Sequence, residues 1–297
     1  MIIKKIKYRI KWFFGDLWST GKTPDFSAQH GQIRVLCFHG ICQDDKAFIN
    51  GRFMRESQFS QLIEAMSRTT HFLSIQDFLS DNFQSNKLNV LLTFDDGYKN
   101  NVDLALPILE EYNAPAVFFI TNEHDILLMD AFDIYRNSFG EPGSPNQNEL
   151  TTGNKELVNE QRNKLKELIK NQRENYSVYS DLMQNEDLEV LKEHPLSALG
   201  NHTANHLDLT KLRKDEISSE LKPVSERIQS PNLVDIIALP YGRYTNQTIS
   251  DIKSLYPNAH IFALDKHQDD DDVIERLTVN PFISLNNQLR AIKNGYY

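Results

Sequence analysis

Asn89-Val90-Leu91-Leu92-Thr93-Phe94-Asp95-Asp96-Gly97-Tyr98 is the stretch whose reading decides the fold. An apolar run of strand length ends abruptly on two adjacent carboxylates and a glycine. A run of this kind, without polar alternation, is the pattern of a strand buried on both faces in a parallel sheet. The C-terminal end of such a strand is where α/β proteins place their chemistry. Standing alone, Asp96-Gly97 would read as a turn and nothing more.

It does not stand alone. Gly200-Asn201-His202-Thr203-Ala204-Asn205-His206-Leu207 carries two imidazoles four residues apart. That spacing puts them on one face if the segment is helical, where both can reach one ion. Two neutral nitrogens and one carboxylate oxygen make the ligand set of an open catalytic metal site. The second aspartate is then free to act as a base towards water activated at the ion.

These residues resemble a family. Thr93-Phe94-Asp95-Asp96-Gly97 is similar to the first motif of the polysaccharide deacetylases, the NodB-homology domains of carbohydrate esterase family 4. His202-Thr203-Ala204-Asn205-His206 resembles their second motif, His-Ser/Thr-x-x-His, and Leu239-Pro240-Tyr241-Gly242 resembles their Pro-Tyr-Gly loop. The three occur in the family's order, and the resemblance covers roughly residues 34–280.

The resemblance implies a role for each matching residue. Asp95 takes the place of the catalytic base, and Asp96, His202 and His206 take the places of the metal ligands, commonly of zinc, with nickel, cobalt or iron as alternatives. Tyr241 offers its backbone N–H to the oxyanion, and Pro240, Tyr241 and Gly242 form the loop that meets substrate. Phe38-His39-Gly40 resembles the Tyr-His of relatives with a permuted motif order that act on exported poly-N-acetylglucosamine. There the histidine protonates the leaving amine, so His39 is the candidate general acid. His260 and His267 lack the Leu-x-His context that other relatives use. Arg276, in Glu275-Arg276-Leu277, resembles an arginine that some relatives present late in the chain, and is expected to pair with Asp95 and keep it ionised. Ala238 stands where many relatives have an arginine, a departure shared by the permuted subgroup.

The chain has 297 residues, 40% of them hydrophobic, enough for one large α/β domain with an insertion. A net charge of −9 argues against broad nucleic-acid binding, which needs Lys and Arg to meet phosphates. It says little about a neutral glycan; a glycan or glycolipid partner is what the resemblance implies. The two cysteines, Cys37 and Cys42, read as buried or incidental thiols, and such low usage fits a reducing compartment.

Residues 1–30 read as a basic N-terminal segment ahead of a catalytic domain over 31–297. Lys4, Lys5, Lys7, Arg9 and Lys11, followed by Trp12, Phe13, Phe14, Leu17 and Trp18, suit either an interfacial helix on an anionic membrane or a helix packed on the domain. No stretch has the length of a signal peptide's apolar region or of a membrane span. The expected location is cytoplasmic, with peripheral contact at the inner membrane face left open.

Along the chain, Ile33 to His39 reads as the first core strand. Phe59, Leu62, Ile63 and Met66 fall at helical spacing, and a helix over about 101–111 carries Leu104, Ile108 and Leu109 inward with Pro107 as a kink. Residues 122–195 read as an insertion, with a turn over Gly140 to Pro145 and an amphipathic helix whose stripe is Leu157, Leu165, Leu168 and Ile169. It is expected either to cover one side of the cleft and shape substrate choice or to be a passive elaboration. Asp269 to Asp272 reads as a solvated loop.

The fold expected is a partly closed, distorted (β/α) barrel, as the resemblance implies and as strand–helix alternation supports independently. The function expected is metal-dependent hydrolysis of an N-acetyl group from an amino sugar of a polysaccharide, oligosaccharide or lipid-linked glycan. Two further readings compete: a catalytically inactive glycan-binding relative, and a deformylase acting on a lipid-linked sugar. A non-haem iron oxygenase shares the donor set but not the alternation of strands and helices.

Overall fold

The computed structural model describes residues 24–45, 51–122, 125–140, 153–228, 235–264 and 271–296. Residues 1–23 of the basic segment, His267, Val234, Asp269, Asp270 and most of the Gly140–Pro145 turn lie outside the described residues.

Eight parallel strands form one sheet. They are β1 (Ile33–Phe38), β2 (Thr70–Phe72), β3 (Leu88–Phe94), β4 (Ala116–Ile120), β5 (Ser197–Asn201), β6 (Ile236–Ala238), β7 (His260–Leu264) and β8 (Val273–Thr278). Seven of them close a ring in the order β1-β8-β7-β6-β5-β4-β3, sealed where β1 runs beside β3 from Ile33↔Asn89 to Phe38↔Phe94. β2 adds to the start of β3, at Thr70↔Leu88 and Phe72↔Val90, and β4 takes over that edge from Leu92 onwards. The barrel is distorted where contact is thin. β5 and β6 share only the pair Asn201↔Ile237, and β1 meets β8 only at Leu36↔Leu277 and Cys37↔Thr278.

Alternation along the strands sorts side chains to the two faces. Val35, Leu91, Val117, Phe119, Ile236, Ala238 and Phe262 form one apolar cluster, the barrel interior. Gly200 leaves room for it, because a Cβ there would come 2.5 Å from the Phe119 ring. Continuing the same alternation by two residues places Cys37, Thr93 and Arg276 at the top of this interior. A second cluster joins the outer face of β1, β3 and β4 to helix α1 (Glu56–Ser67), which buries Phe59, Leu62, Ile63 and Met66 as the spacing predicts.

The helix after the Asp-Asp turn departs from the expectation in detail. Asn101–Ala105 is a π-helical turn, and α2 (Leu106–Glu111) follows with Pro107 in its first turn. Backbone at Ala105 and Leu106 stays helical, so Pro107 sits inside one continuous helical run, just after the widened π turn, where the lost N–H and the ring's bulk are accommodated.

Helices α3 (Leu128–Phe139) and α4 (Lys155–Ile169) belong to the segment read as an insertion. With Ile126, Tyr179 and Leu182 they form a further apolar cluster, which reaches the barrel through Phe53 and Tyr98. The buried stripe of α4 is Val158, Leu165 and Ile169. Leu168, expected in that stripe, is 47% exposed. Main-chain pairing ties the segment to the strand-end turn, with Lys99 N–H donating to Asp181 O at 2.9 Å and Met183 N–H to Gly97 O at 2.9 Å. Helices α5 (Asn185–Glu193), α6 (Lys214–Arg227), α7 (Asn246–Leu255) and α8 (Leu285–Asn294) complete the outer layer. Among the described residues, no helix is long and apolar enough to cross a membrane.

Candidate active site

The motifs meet at the C-terminal ends of the barrel strands. Asp95 and Asp96 follow β3, His39 follows β1, His202 follows β5, and Pro240-Tyr241-Gly242 follows β6. Asp95 N–H donates to Phe38 O at 2.9 Å, which locks the ends of β1 and β3 together. Of the six non-glycine residues with positive φ among the described residues, Asp96, Thr203, His206 and Tyr241 all lie in these motifs. Left-handed backbone is costly for such residues and persists only where its surroundings hold it.

Arg276, near the end of β8, reaches across the barrel top. Its Nη1 donates to Asp95 Oδ1 at 2.6 Å and its Nη2 to Asp95 Oδ2 at 2.8 Å. Nη1 also donates to Thr93 Oγ1 at 3.1 Å, Nε donates to Ala263 O at 3.2 Å, and the guanidinium stacks over Phe119. Both partners are buried, at 1% exposure each. Burial alone would raise the Asp95 carboxyl, but Arg276 and the His202 imidazole outweigh it and bring the pKa down to about 2. Asp95 is therefore ionised throughout the neutral range.

Asp96 faces the two motif imidazoles. Its Oδ1 lies 3.4 Å from His202 Nε2 and 3.3 Å from His206 Nε2. The three ligand atoms lie within 4.8 Å of one another. Yet Asp96 Oδ1 is buried without a hydrogen-bond partner. A buried carboxylate oxygen left without a partner is expensive in an apoprotein and ordinary in a ligand waiting for a cation. Its neighbours fix the rest of the set. His202 Nδ1 lies 2.9 Å from Ala238 O, and donating to that carbonyl leaves the Nε2 lone pair facing Asp96. A trio of two imidazoles and one carboxylate thus fits a divalent cation with open coordination positions. Cys37, His39 and Asp95 also converge within 4.8 Å. That trio does not fit an ion, because both Asp95 oxygens are engaged by Arg276 and burial pushes the Cys37 thiol well above its usual range.

The histidine segment is not a helix, so its imidazoles do not converge through helical spacing. It is a loop from His202 to Asp208 with left-handed turns at Thr203 and His206, and these turns are what aim both imidazoles at Asp96. Helix α6 clamps it from behind. Glu220 accepts from Asn205 N–H at 2.8 Å and Asn205 Nδ2 at 2.7 Å, while Asn201 Nδ2 donates to Leu221 O at 2.7 Å. The Tyr241 hydroxyl donates to His206 O at 3.2 Å and its ring meets the His206 ring at 4.7 Å. Gly242, at φ +60°, could carry no Cβ, since one would lie 2.4 Å from Leu264 Cβ and 2.6 Å from Leu264 N.

A cavity of about 110 Å³ opens onto His39, Asp95, Asp96, His202, His206 and Tyr241. Burial lowers the His39 pKa against the pull of Asp96 and Asp95, so its imidazole rests neutral. His260 starts β7, at the far end of the barrel from this cavity.

Three contributors went unread in the sequence. Cys37, treated there as incidental, directs its thiol at Asp95 Oδ2 at 3.4 Å. Its signal was available, since it stands two residues before His39 and alternation puts it on the interior face. Arg52 and Tyr98 also line the cavity, and nothing in their local pattern announced it.

A family model described as polysaccharide deacetylase matches residues 84–258, more than half of the chain. The chain belongs to the polysaccharide deacetylase family. Its members are deacetylases, and so hydrolases. The solved deacetylase PplD of Streptococcus pyogenes, in complex with acetate, is 19% identical, with 88% of this chain and 98% of that one aligned at a TM-score of 0.55. IcaB from Ammonifex degensii is 17% identical over 91% of this chain and 98% of its own, at a TM-score of 0.55. A de-N-acetylase from Aggregatibacter actinomycetemcomitans is 17% identical over 88% and 99%, at 0.56. At such identities the likeness is one of fold, and it extends over nearly all of those chains. No curated protein sequence matches the chain.

Proposed function

We propose that the chain is a metal-dependent hydrolase that removes an N-acetyl group from an amino sugar of a glycan or glycolipid. The observation that carries this reading is the convergence of Asp96 Oδ1, His202 Nε2 and His206 Nε2 beside an Arg276-paired Asp95. Asp96, His202 and His206 would hold the ion, with zinc the best match to two imidazoles and one carboxylate and nickel, cobalt or iron as alternatives. A divalent cation there would polarise the acetyl carbonyl and bring the pKa of the attacking water towards neutrality.

The chain's own residues supply the rest. Asp95 accepts the proton of the attacking water. Arg276 holds both carboxylate oxygens, fixing the base in place and keeping it ionised. The Tyr241 main-chain N–H, turned by the left-handed backbone, stabilises the oxyanion of the tetrahedral intermediate. His39, neutral at rest, takes up the proton that Asp95 has accepted, their atoms lying within 4.8 Å, and delivers it to the nitrogen as the C–N bond breaks, releasing acetate and the amine. Its lowered pKa makes the imidazolium a ready donor once it carries a proton. Over one cycle the proton taken by Asp95 balances the one given by His39.

Position of His39 after β1 and an alanine at Ala238 support placement with the permuted poly-N-acetylglucosamine deacetylases. The acidic net charge supports a glycan over a nucleic acid. Chelation should abolish acetate release from an N-acetylated oligosaccharide, and stoichiometric zinc should restore it. Undiminished release from protein stripped of metal would overturn the proposal.

A further inference from the structure

Asn205 stands directly before His206 in the chain, and it lines the same cavity as Asp95, Asp96 and Tyr241. Which edge of its amide faces inward is decided from behind. Glu220, on α6, is buried, and its carboxylate spans the residue. Oε2 accepts from the Asn205 main-chain N–H at 2.8 Å, and Oε1 accepts from Asn205 Nδ2 at 2.7 Å. The main-chain carbonyl of Glu220 takes the neighbouring Ala204 N–H at 2.8 Å, which fixes helix against loop.

Burial raises the Glu220 pKa, and the two Asn205 donors oppose it. Ionised, the carboxylate can only accept, so the amide edge turned to it is the NH2 and the edge left over is Oδ1. Among the described residues no group donates to that Oδ1, and it is not sealed from solvent. It is therefore a neutral acceptor whose direction the helix behind it sets.

The carboxylates of the cavity are committed elsewhere. Asp95 is held by Arg276, and Asp96 faces the two imidazoles of the proposed metal site. A sugar hydroxyl brings a proton as well as lone pairs, and burying that proton without an acceptor is costly. We propose that Asn205 Oδ1 accepts a hydrogen bond from a hydroxyl of the sugar that bears the scissile amide, and that Glu220 is the positioning residue that presents this edge. This rests on the deacetylase reading and adds to it a residue that distinguishes one acetamido sugar from another.

The probes are methyl N-acetylglucosaminide and its 3-, 4- and 6-deoxy and deoxyfluoro analogues, given to zinc-loaded protein. Acetate release gives kcat/KM, and titration calorimetry gives binding. A deoxy sugar lacks the hydroxyl, and a deoxyfluoro sugar keeps an acceptor there but has no proton to donate. In the wild type, both changes at one position should cost about tenfold, the size of a hydrogen bond whose partner is left unmet. Asn205→Ala should cost the parent sugar about as much and erase discrimination at that position, with zinc still bound. Glu220→Gln offers an NH2 to Asn205, which turns its amide over. It should narrow the gap between the hydroxyl and fluoro sugars, an effect that a loosened loop would not give. Fluoro sugars used as well as the parent at all three positions, or equal losses across the series in both variants, would overturn the proposal. So would a series with neither binding nor release. Discriminating binding without acetate release would instead sink the deacetylase reading and leave the Asn205 contact standing.

Discussion

Arg276 and Asp95 lie 181 residues apart in the chain and share two parallel hydrogen bonds, of 2.6 and 2.8 Å, in the closed top of the barrel. Breaking a buried pair of this kind leaves one charge uncompensated. Arg276→Gln is therefore expected to lower unfolding free energy by about 3–5 kcal/mol and to remove turnover. Urea unfolding of the metal-free protein measures the first effect. A loss below about 1 kcal/mol would mean the pair contributes little.

The same pair sets a pH dependence. The folded pKa of Asp95 is depressed to about 2, below its unfolded value of about 3.9. The stabilisation is thus complete above the unfolded pKa and is lost as pH falls through about 2, a change of about 2–3 kcal/mol. For metal-free protein, the gap between wild type and Arg276→Gln should shrink as pH falls, starting where the variant's buried, arginine-free Asp95 takes up a proton, above its unfolded value, and continuing below pH 4. A gap that widened on acidification would contradict this sign.

Removal of the base and removal of a ligand should separate cleanly. Asp95→Asn is expected to bind one equivalent of zinc while losing about 10²–10⁴ of the rate, the usual share of a general base. His202→Ala deletes a ligand, so its zinc affinity should fall by more than the ~10–100-fold typical of an outer partner. Metal stoichiometry by mass analysis beside acetate release distinguishes the two. Equal zinc loss in both variants would merge the two roles.

Much of this site was legible in the chain because its chemistry sits at strand ends. Strand β3 announced itself as an apolar run ending on Asp95-Asp96, and the order of three motifs pointed to the barrel. What escaped was set by tertiary packing. The spacing of His202 and His206 would share a face in a helix, but left-handed turns at Thr203 and His206 bring them together instead, and backbone handedness at a non-glycine residue has no spacing signature. Leu168 looked like core because it is apolar, whereas the register of α4 turns Val158, Leu165 and Ile169 inward and leaves Leu168 off that face. Arg52 and Asp130 are brought together by two segments with no local pattern in common.

Gly242→Ala should be severe for its size. The new Cβ would press on Leu264 backbone and side chain at a residue with φ +60°, so about 2–4 kcal/mol of stability and most activity should be lost through displaced Tyr241. Thermal melting and zinc titration together report it. A variant with wild-type melting would show that the loop can relax away from Leu264.

Both cysteines should resist alkylation in the native state. Cys37 and Cys42 are buried, and burial raises the thiol pKa of Cys37 well above its usual range and that of Cys42 to about 11. Iodoacetamide at neutral pH should label neither until denaturant is added, when mass spectrometry should find both. Native labelling of Cys37 would show that the Asp95 pocket opens.

Acetate release by zinc-reconstituted protein over a panel of N-acetylated sugars, with Asp95→Asn alongside, tests the central claim most directly. The account predicts metal-dependent release by the wild type and release slower by about 10²–10⁴-fold by the variant at equal zinc occupancy. Zinc bound in both proteins with no acetate from polymers, oligomers, lipid-linked sugars or sugar phosphates would contradict it.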